Sequence, residues 1–186
     1  MTTGFEEFKM RAEAVGAHVQ RVETKQDALR LIVDLLLYEE SSDDPHPYAV
    51  WAKCSTIDSA DQRELSARAP GIEFHVTRDN AAQAKVGISQ MDWALADTGT
   101  LVQVADAVDK RLVSTLPPLH IALVPTASIL PNLPSLLSKI APKKAGYLAF
   151  ITGPSRTADI ERVLTIGVHG PARLVIVMVD DMLVTQ

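Results

Sequence analysis

Three clusters of polar residues interrupt apolar runs in the second half of the chain, and their residue types suit the binding of an anion. The clusters are Asp97-Thr98-Gly99-Thr100, Thr152-Gly153-Pro154-Ser155-Arg156-Thr157 and Gly167-Val168-His169-Gly170-Pro171. Glycine lets a backbone turn tightly, so the hydroxyl and amide N–H groups of a turn can face one anion. We therefore expect a single ligand site that draws on all three clusters. The expected ligand-binding residues are Thr98, Gly99, Thr100, Gly153, Pro154, Ser155, Arg156, Thr157 and Gly170.

Two residues of these clusters are candidates for catalysis. Asp97 could act as a base, as a nucleophile or as a hydrogen-bond acceptor for a ligand. His169 is the second candidate, since an imidazole exchanges protons near neutral pH. Each cluster also has a purely structural interpretation. Thr-Gly-Thr is common in hairpin turns, His169 can simply hydrogen-bond a loop, and Arg156 can pair with Asp159 or Glu161.

Arg156 has the wrong charge for the helix that "SRTADIERVL" predicts. A cation in the first turn of a helix is unfavourable by roughly 0.3–1 kcal/mol, because unpaired N–H groups point outward there. A planar guanidinium beside free amides does have a specific use, which is two-point binding of a carboxylate or phosphate. We therefore expect Arg156, with the amides of Ser155 and Thr157, to hold the anionic group of a ligand.

The sequence does not predict a metal or cofactor site in this chain. His18, His46, His75 and His120 lack histidine or cysteine partners at metal-ligand spacing, and Cys54 is the only cysteine among the 186 residues. Neither a dinucleotide fingerprint nor a phosphate-binding P-loop is present. Cys54 and the two tryptophans, Trp51 and Trp93, are interpreted as packing residues.

The elements that must position these clusters follow from hydrophobic spacing. A first helix carries Phe5, Phe8, Ala12, Val15 and Val19 on one face, and a second carries Leu29, Ile32, Val33, Leu36 and Leu37. After a polar loop, the pattern predicts the strand "YAVWAKC", the capped helix "SADQRELSARAPG" and the strand "IEFHVT". Two short strands around Thr-Gly-Thr follow. The remaining predictions are a strand at residues 121–124, a helix in "SILPNLPSLLSKIAP", the strand "GYLAFIT", the helix "SRTADIERVL" and the strand "ARLVIVMVD".

Near-continuous Val, Ile and Leu strands are buried on both faces, which indicates a parallel sheet covered by helices. The expected fold is a three-layer α/β/α arrangement with a mainly parallel sheet. We divide the chain into an N-terminal helical segment, residues 1–45, and an α/β domain, residues 46–186. Ligands of such sheets gather beyond the carboxyl ends of the strands.

Composition narrows the class of protein. Hydrophobic residues make up 47% and charged residues 22%, which is ordinary for a globular protein. A net charge of −5 does not indicate a nucleic-acid partner. The N-terminus is acidic and lacks an apolar signal core, and the apolar runs are too short for a membrane span. The expected location is the cytoplasm.

Four motifs resemble the LUD-domain family. They are "ADTGTLV", "RLVSTLPPLHIALVP", "ITGPSRTADIERVLTIGVHGP" and "RLVIVMVDD", in one order from about Val86 to Asp180. The family often has Glu-Thr-Gly-Thr where this chain has Asp97 first, which shortens the carboxylate by one methylene. The resemblance implies a fold like that of ribose-5-phosphate isomerase, glucosamine-6-phosphate deaminase and the CoA-transferases.

The resemblance also implies a role in lactate utilisation, in a bacterial three-protein system that oxidises L-lactate to pyruvate. The partners it implies are an iron–sulfur protein and a cysteine-rich protein, which would carry the clusters, and a small carboxylate or phosphate ligand. Whether this chain is itself catalytic stays open. Two alternatives also stay open: a stand-alone transferase or isomerase of an anionic substrate, such as a sugar phosphate or acyl-CoA, and a non-catalytic scaffold that recognises an anion.

Overall fold

A computed structural model of the protein describes residues 2–39, 48–140, 146–157, 165–167 and 169–184. The helices are α1 Thr2–Ala14, α2 Lys25–Glu39, α3 Ser59–Arg68, α4 Arg78–Gln83, α5 Val108–Thr115 and α6 Leu133–Lys139. The strands are β1 His18–Val22, β2 Ala49–Trp51, β3 Ile72–Glu73, β4 Val86–Gln90, β5 Trp93–Leu95, β6 Thr100–Val104, β7 Leu119–Pro125, β8 Ile129–Leu130, β9 Leu148–Ile151, β10 Arg156–Thr157, β11 Thr165–Ile166 and β12 Arg173–Val179. None of the helices in these ranges is long and apolar enough to cross a membrane.

The main sheet has six parallel strands in the order β1-β12-β7-β4-β2-β3. Its central strands, β7 and β12, are the two most continuously apolar runs of the chain, and nearly every residue in them is buried. Burial on both faces is what a parallel sheet with helical cover requires. The prediction of an α/β fold with a mainly parallel sheet is therefore confirmed.

Alternating side chains of the main sheet contribute to two separate hydrophobic cores, one on each face. On one face, Ile121 and Val177 pack with Ile32 and Leu36 of α2 and with Leu65 of α3. On the other face, Ala122 of β7 and Ile176 of β12 pack in a second core with Phe8 of α1 and Leu101 of β6. The three-layer arrangement is confirmed, with one outer layer that combines helices and a small sheet. The finer likeness to ribose-5-phosphate isomerase stays a prediction.

The second sheet has four strands in the order β8-β5-β6-β9 and is mostly antiparallel. The hairpin predicted around Thr-Gly-Thr is present, because β5 and β6 pair on either side of that turn. "GYLAFIT" is a strand, as predicted, but β9 pairs antiparallel with β6 and lies outside the parallel sheet. Hydrophobic pattern predicts that a segment is extended, whereas its pairing partner depends on contacts distant in sequence.

The first helix ends earlier than its hydrophobic spacing suggests. Gly16 has a φ of +93°, and the backbone closes α1 with the bonds Gly16 N–H to Glu13 O (2.9 Å) and Ala17 N–H to Ala12 O (3.0 Å). This is a Schellman C-terminus, for which glycine is the preferred residue. Val19 was predicted on the helix face but lies in β1. The segment 1–45 therefore contributes an edge strand to the main sheet as well as helices.

Several smaller predictions differ from the structure. Leu37 is exposed instead of facing the core. The strand in "IEFHVT" is only two residues long, β3. Arg156 and Thr157 form the short strand β10, so the helix predicted from Ser155 is wrong at its start, and residues 158–164 lie outside the described residues. The boundary between residues 45 and 46 also lies outside them, and this division stays a prediction.

Candidate active site at the amino-terminal edge of the main sheet

A cleft of about 260 Å³ opens where β7 and β12 begin, and we call it the amino-edge cleft. Its walls come from the turn after β9 (residues 152–155), the segment before β12 (residues 169–171) and the end of α5 (Ser114 and Thr115). His120 and Leu174, near the starts of β7 and β12, also line it. We expected the site at the carboxyl ends of the parallel strands, but the cleft lies at the opposite edge of the sheet.

The structure brings residues 152–155 of the second polar cluster and residues 169–171 of the third into one cleft. Gly153, Pro154 and Ser155 line it together with His169 and Gly170. His169, the predicted catalytic histidine, is exposed at this wall.

The first cluster touches this cleft only indirectly. The Thr100 hydroxyl lies 2.8 Å from the Thr152 hydroxyl, which links the hairpin turn to the cleft wall. Thr100 also donates to the Thr98 hydroxyl at 2.8 Å. Asp97 and Thr98 are exposed and do not line the cleft. A catalytic role for Asp97 therefore stays a prediction without a contact to the cleft.

The backbone of Ser155 is used by the fold. Its N–H donates to Pro171 O at 2.8 Å, and its carbonyl accepts from Gly167 N–H at 2.9 Å. Gly170 packs so closely that an added Cβ would lie 3.0 Å from Ser155 Cβ. That N–H already has an acceptor in the fold, and its predicted contact with an anion stays a prediction. Thr157 pairs with Thr165 in the β10-β11 ribbon.

Arg156 lies at the end of a helix, but at the opposite end to the one expected. Its guanidinium donates to the carbonyl oxygen of Val15, the residue that caps α1 at its C-terminus. Carbonyl oxygens in that position lack intrahelical partners, and the helix dipole favours a cation there. The unusual charge thus has a structural use, and Arg156 does not line the amino-edge cleft. Its binding of an anion stays a prediction, as do the ion pairs with Asp159 and Glu161, which lie outside the described residues.

Two glycines of the predicted site also seat α1. Gly99 has a φ of +66°, and an added Cβ would lie 2.7 Å from Ala12 Cα. Gly153 has a φ of +73°, and its Cβ would lie 2.6 Å from Val15 O. Only glycine tolerates both the left-handed conformation and this close approach. The glycines of both turns therefore allow the end of α1 to pack against the cleft wall.

The residue that the sequence did not single out is His120, which is 1% exposed. Its Nε2 lies 2.8 Å from the hydroxyl of Ser89, which is fully buried on the neighbouring strand β4. Burial lowers the pKa of the His120 imidazole to about 4, so the ring is neutral at pH 7. Its Nδ1 is buried and has no hydrogen-bond partner among the described residues. The signal in the sequence that could have identified this residue is its position as the one polar residue of the apolar run "LHIALVP".

Hydroxyl groups complete the chemistry of the cleft. Ser114 and Thr115 donate their hydroxyl protons to Arg111 O, at 3.2 and 2.6 Å, and therefore offer lone pairs as acceptors. If the Ser89 hydroxyl donates to His120 Nε2, the ring proton is on Nδ1, which is then a donor. The cleft wall therefore offers hydroxyl oxygens that can accept a hydrogen bond from a ligand, and in that tautomer the buried Nδ1–H of His120 is a further donor. Among the described residues, no group of three His, Cys, Asp or Glu side chains could hold a metal ion.

Comparison with known proteins identifies the family. The LUD domain matches residues 5–179, which is most of the chain. The chain belongs to the LUD domain family. A crystal structure of a DUF162 family protein from Deinococcus radiodurans superposes with a TM-score of 0.68, covering 96% of this chain and 97% of that one. Their sequence identity is 17%, so that likeness concerns the fold alone.

Curated relatives of this LUD domain protein share one name. The lactate utilization protein C of Exiguobacterium sp. is 30% identical over 95% of this chain and 78% of its own length. The lactate utilization protein C of Halalkalibacterium halodurans is 37% identical over 55% of this chain and 47% of its own length. Lactate utilization protein C 1 of Bacillus mycoides is 40% identical over 54% of this chain and 46% of its own length. The chain thus spans about half the length of the latter two relatives.

Proposed function

We propose that this LUD domain protein acts in lactate utilisation, as a component of a system that oxidises L-lactate to pyruvate. The proposal draws on the family and on relatives that are named for lactate utilisation. We further propose that the amino-edge cleft binds a small hydroxy or keto acid. The partners in this proposal are an iron–sulfur protein and a cysteine-rich protein, which the family resemblance implies.

The observation that carries the ligand site is the unpartnered Nδ1 of His120. A buried polar atom without a partner costs about 1–3 kcal/mol, so such atoms are uncommon unless something else supplies the hydrogen bond. His120 lines a cleft large enough for a small acid, beside hydroxyls that can accept a hydrogen bond from the hydroxyl group of that acid. A ligand oxygen that reached Nδ1 from the cleft would give it the missing partner.

Deletion of the gene in its own host tests the biological role. We expect growth on L-lactate as sole carbon source to fail and growth on pyruvate to continue, because the lesion lies before pyruvate. A copy of the wild-type gene should restore growth on L-lactate. Equal growth of the deletion strain on both carbon sources would refute a role in lactate utilisation.

Calorimetric titration of the purified protein with L-lactate and pyruvate tests the site. His120→Gln keeps an amide near Ser89 but removes Nδ1, so affinity should fall about fivefold to tenfold, the scale of one hydrogen bond. His75→Gln is the matched control, because His75 is exposed and does not line the cleft. If both variants bind like the wild type, the ligand does not contact His120.

A further inference from the structure

The main sheet also has a crevice at its carboxyl edge, and the chain topology explains its position. β1 leads through α2, which packs on one face of the sheet, whereas β7 leads to β8, which packs on the other face. β12 lies between β1 and β7, so the two onward connections separate beyond its carboxyl end. Such switch points are where open parallel sheets bind ligands.

A cleft of about 580 Å³ occupies this crevice, and we call it the carboxyl-edge cleft. Its polar lining comes from the ends of three strands: Arg21 of β1, Thr126 after β7 and Asp180 after β12. Its apolar lining includes Phe5, Ala127 and Ile129. The volume falls within the roughly 300–1,000 Å³ of small-molecule sites. None of these residues lines the amino-edge cleft, so this feature lies beyond the proposed function.

Arg21 is held in one orientation inside the carboxyl-edge cleft. Its Nε donates to both oxygens of Asp180, at 2.8 Å to Oδ1 and 3.1 Å to Oδ2. Its Cζ lies 5.1 Å from the centre of the Phe5 ring. The N–H groups on its two terminal nitrogens have no acceptor among the described residues, and the side chain is 39% exposed. These terminal nitrogens form a planar fork that is suited to two-point binding of a carboxylate.

A hydroxyl beside this ion pair also lacks a partner. Thr126 Oγ1 is buried and makes no hydrogen bond to any residue that the structure describes. It lies close enough to Asp180 to assist the Arg21 hydrogen bond in lowering the pKa of that carboxyl, but not in hydrogen-bonding geometry. Buried polar atoms are rarely left unpaired. A ligand in the cleft is a source of the missing hydrogen bond.

The charges around the carboxyl-edge cleft select the kind of ligand. Arg21 and Asp180 balance each other. Glu6 adds negative charge at longer range, since it raises the pKa of Arg21 after the larger effect of the Asp180 hydrogen bond. A simple carboxylate on the Arg21 fork would therefore also meet two like charges. An ammonium group next to the ligand carboxylate removes this conflict, because the oxygens of Asp180 keep lone pairs for it.

We propose that the carboxyl-edge cleft binds a 2-amino acid with an apolar side chain. The ligand carboxylate lies on the Arg21 fork, the ammonium group lies on Asp180, and the Thr126 hydroxyl donates to the ligand carboxylate. The apolar lining of the cleft receives the side chain. A 2-hydroxy acid such as lactate lacks the ammonium group, so this site takes a different class of molecule from the amino-edge cleft.

Calorimetric titration with L-leucine and two analogues tests this site. 4-Methylpentanoate lacks the ammonium group, and 3-methylbutylamine lacks the carboxylate. We expect saturable binding of L-leucine, and binding at least tenfold weaker for each analogue, because each loses a charge-assisted contact. Arg21→Lys keeps a cation beside Asp180 but loses the fork, so its affinity for L-leucine should fall at least tenfold. Arg78→Lys, an exposed arginine outside the cleft, should match the wild type.

Thr126→Val gives a second variant that preserves the shape of the side chain. Its affinity for L-leucine should fall about fivefold, whereas its melting temperature should not fall, because the hydroxyl makes no hydrogen bond in the free protein. Three results would overturn the proposal: no saturable binding of L-leucine, equal binding of 4-methylpentanoate, and unchanged affinity in Arg21→Lys. Should Arg21→Lys melt early, Thr126→Val decides in its place. Neither lactate nor the amino-edge cleft enters this test, so its failure is distinguishable from failure of the proposed function.

Discussion

The buried histidine makes a quantitative prediction about stability and pH. The pKa of His120 falls from an ordinary 6.5 to about 4 because burial disfavours the charged ring. In the unfolded chain, the same imidazole takes up a proton as the pH falls below 6.5, whereas the folded state stays neutral. Stability is therefore intact above pH 6.5 and is lost progressively between pH 6.5 and 4. The difference of 2.5 pKa units between 6.5 and about 4 corresponds to about 3 kcal/mol.

Urea unfolding at a series of pH values measures this loss. Carboxylates also titrate in this range, so the wild type alone cannot isolate the histidine. His120→Gln does not titrate, and the difference between the two curves removes the contribution common to both. We expect the free energy of unfolding of the wild type to fall by about 3 kcal/mol more than that of the variant between pH 7 and 4. Parallel curves would show that the folded protein leaves the ring solvated through the cleft, and would refute this reasoning.

Two further predictions concern the end of α1. Gly99→Ala should lower stability by about 2–4 kcal/mol, because its Cβ meets the helix backbone and its φ is left-handed. Gly4→Ala, inside α1, should instead raise stability by about 0.5–1 kcal/mol, because the added Cβ would lie in ordinary contact 3.6 Å from Ile129 Cγ2; a loss at Gly4 as large as that at Gly99 would contradict the packing argument. Arg156→Gln should cost about 1 kcal/mol, because it removes the donor to Val15 O, whereas the exposed Arg78→Gln should change stability by less than about 0.5 kcal/mol. Thermal denaturation of the four variants checks both predictions.

Sequence pattern predicted the elements whose burial is continuous. α2, β7 and β12 were recognised because each buries an unbroken apolar face or run, and these elements define the α/β class. The prediction failed where one residue changes the chain direction. Gly16 ends α1 before Val19, and hydrophobic spacing alone carries no information about a left-handed residue that stops a helix.

The candidate site was predicted less well than the fold, and the reason is geometrical. The site was expected beyond the carboxyl ends of the parallel strands, but the three clusters lie at the predicted hairpin, after the antiparallel strand β9 and before β12. Which edge of the main sheet they reach depends on β9 pairing with β6, which local sequence does not specify. The sequence did not identify His120 as a site residue, because a histidine inside an apolar strand is usually a packing residue. The hydrogen bond that orients its ring comes from Ser89 on the neighbouring strand β4, which is 31 residues away in sequence.

The same contacts that seat α1 also position the amino-edge cleft. The end of α1 packs on Gly99 from one turn and on Gly153 from the other, and Arg156 anchors Val15 beside them. With the helix end fixed in this way, the turn after β9 has little freedom, and the hydroxyl contact between Thr100 and Thr152 joins the two turns. This wall of the cleft is therefore held by Gly153, which lines it, and by Gly99 and Arg156, which do not. Substitutions at the α1 end should then weaken ligand binding through the shape of the wall, in proportion to the stability they remove.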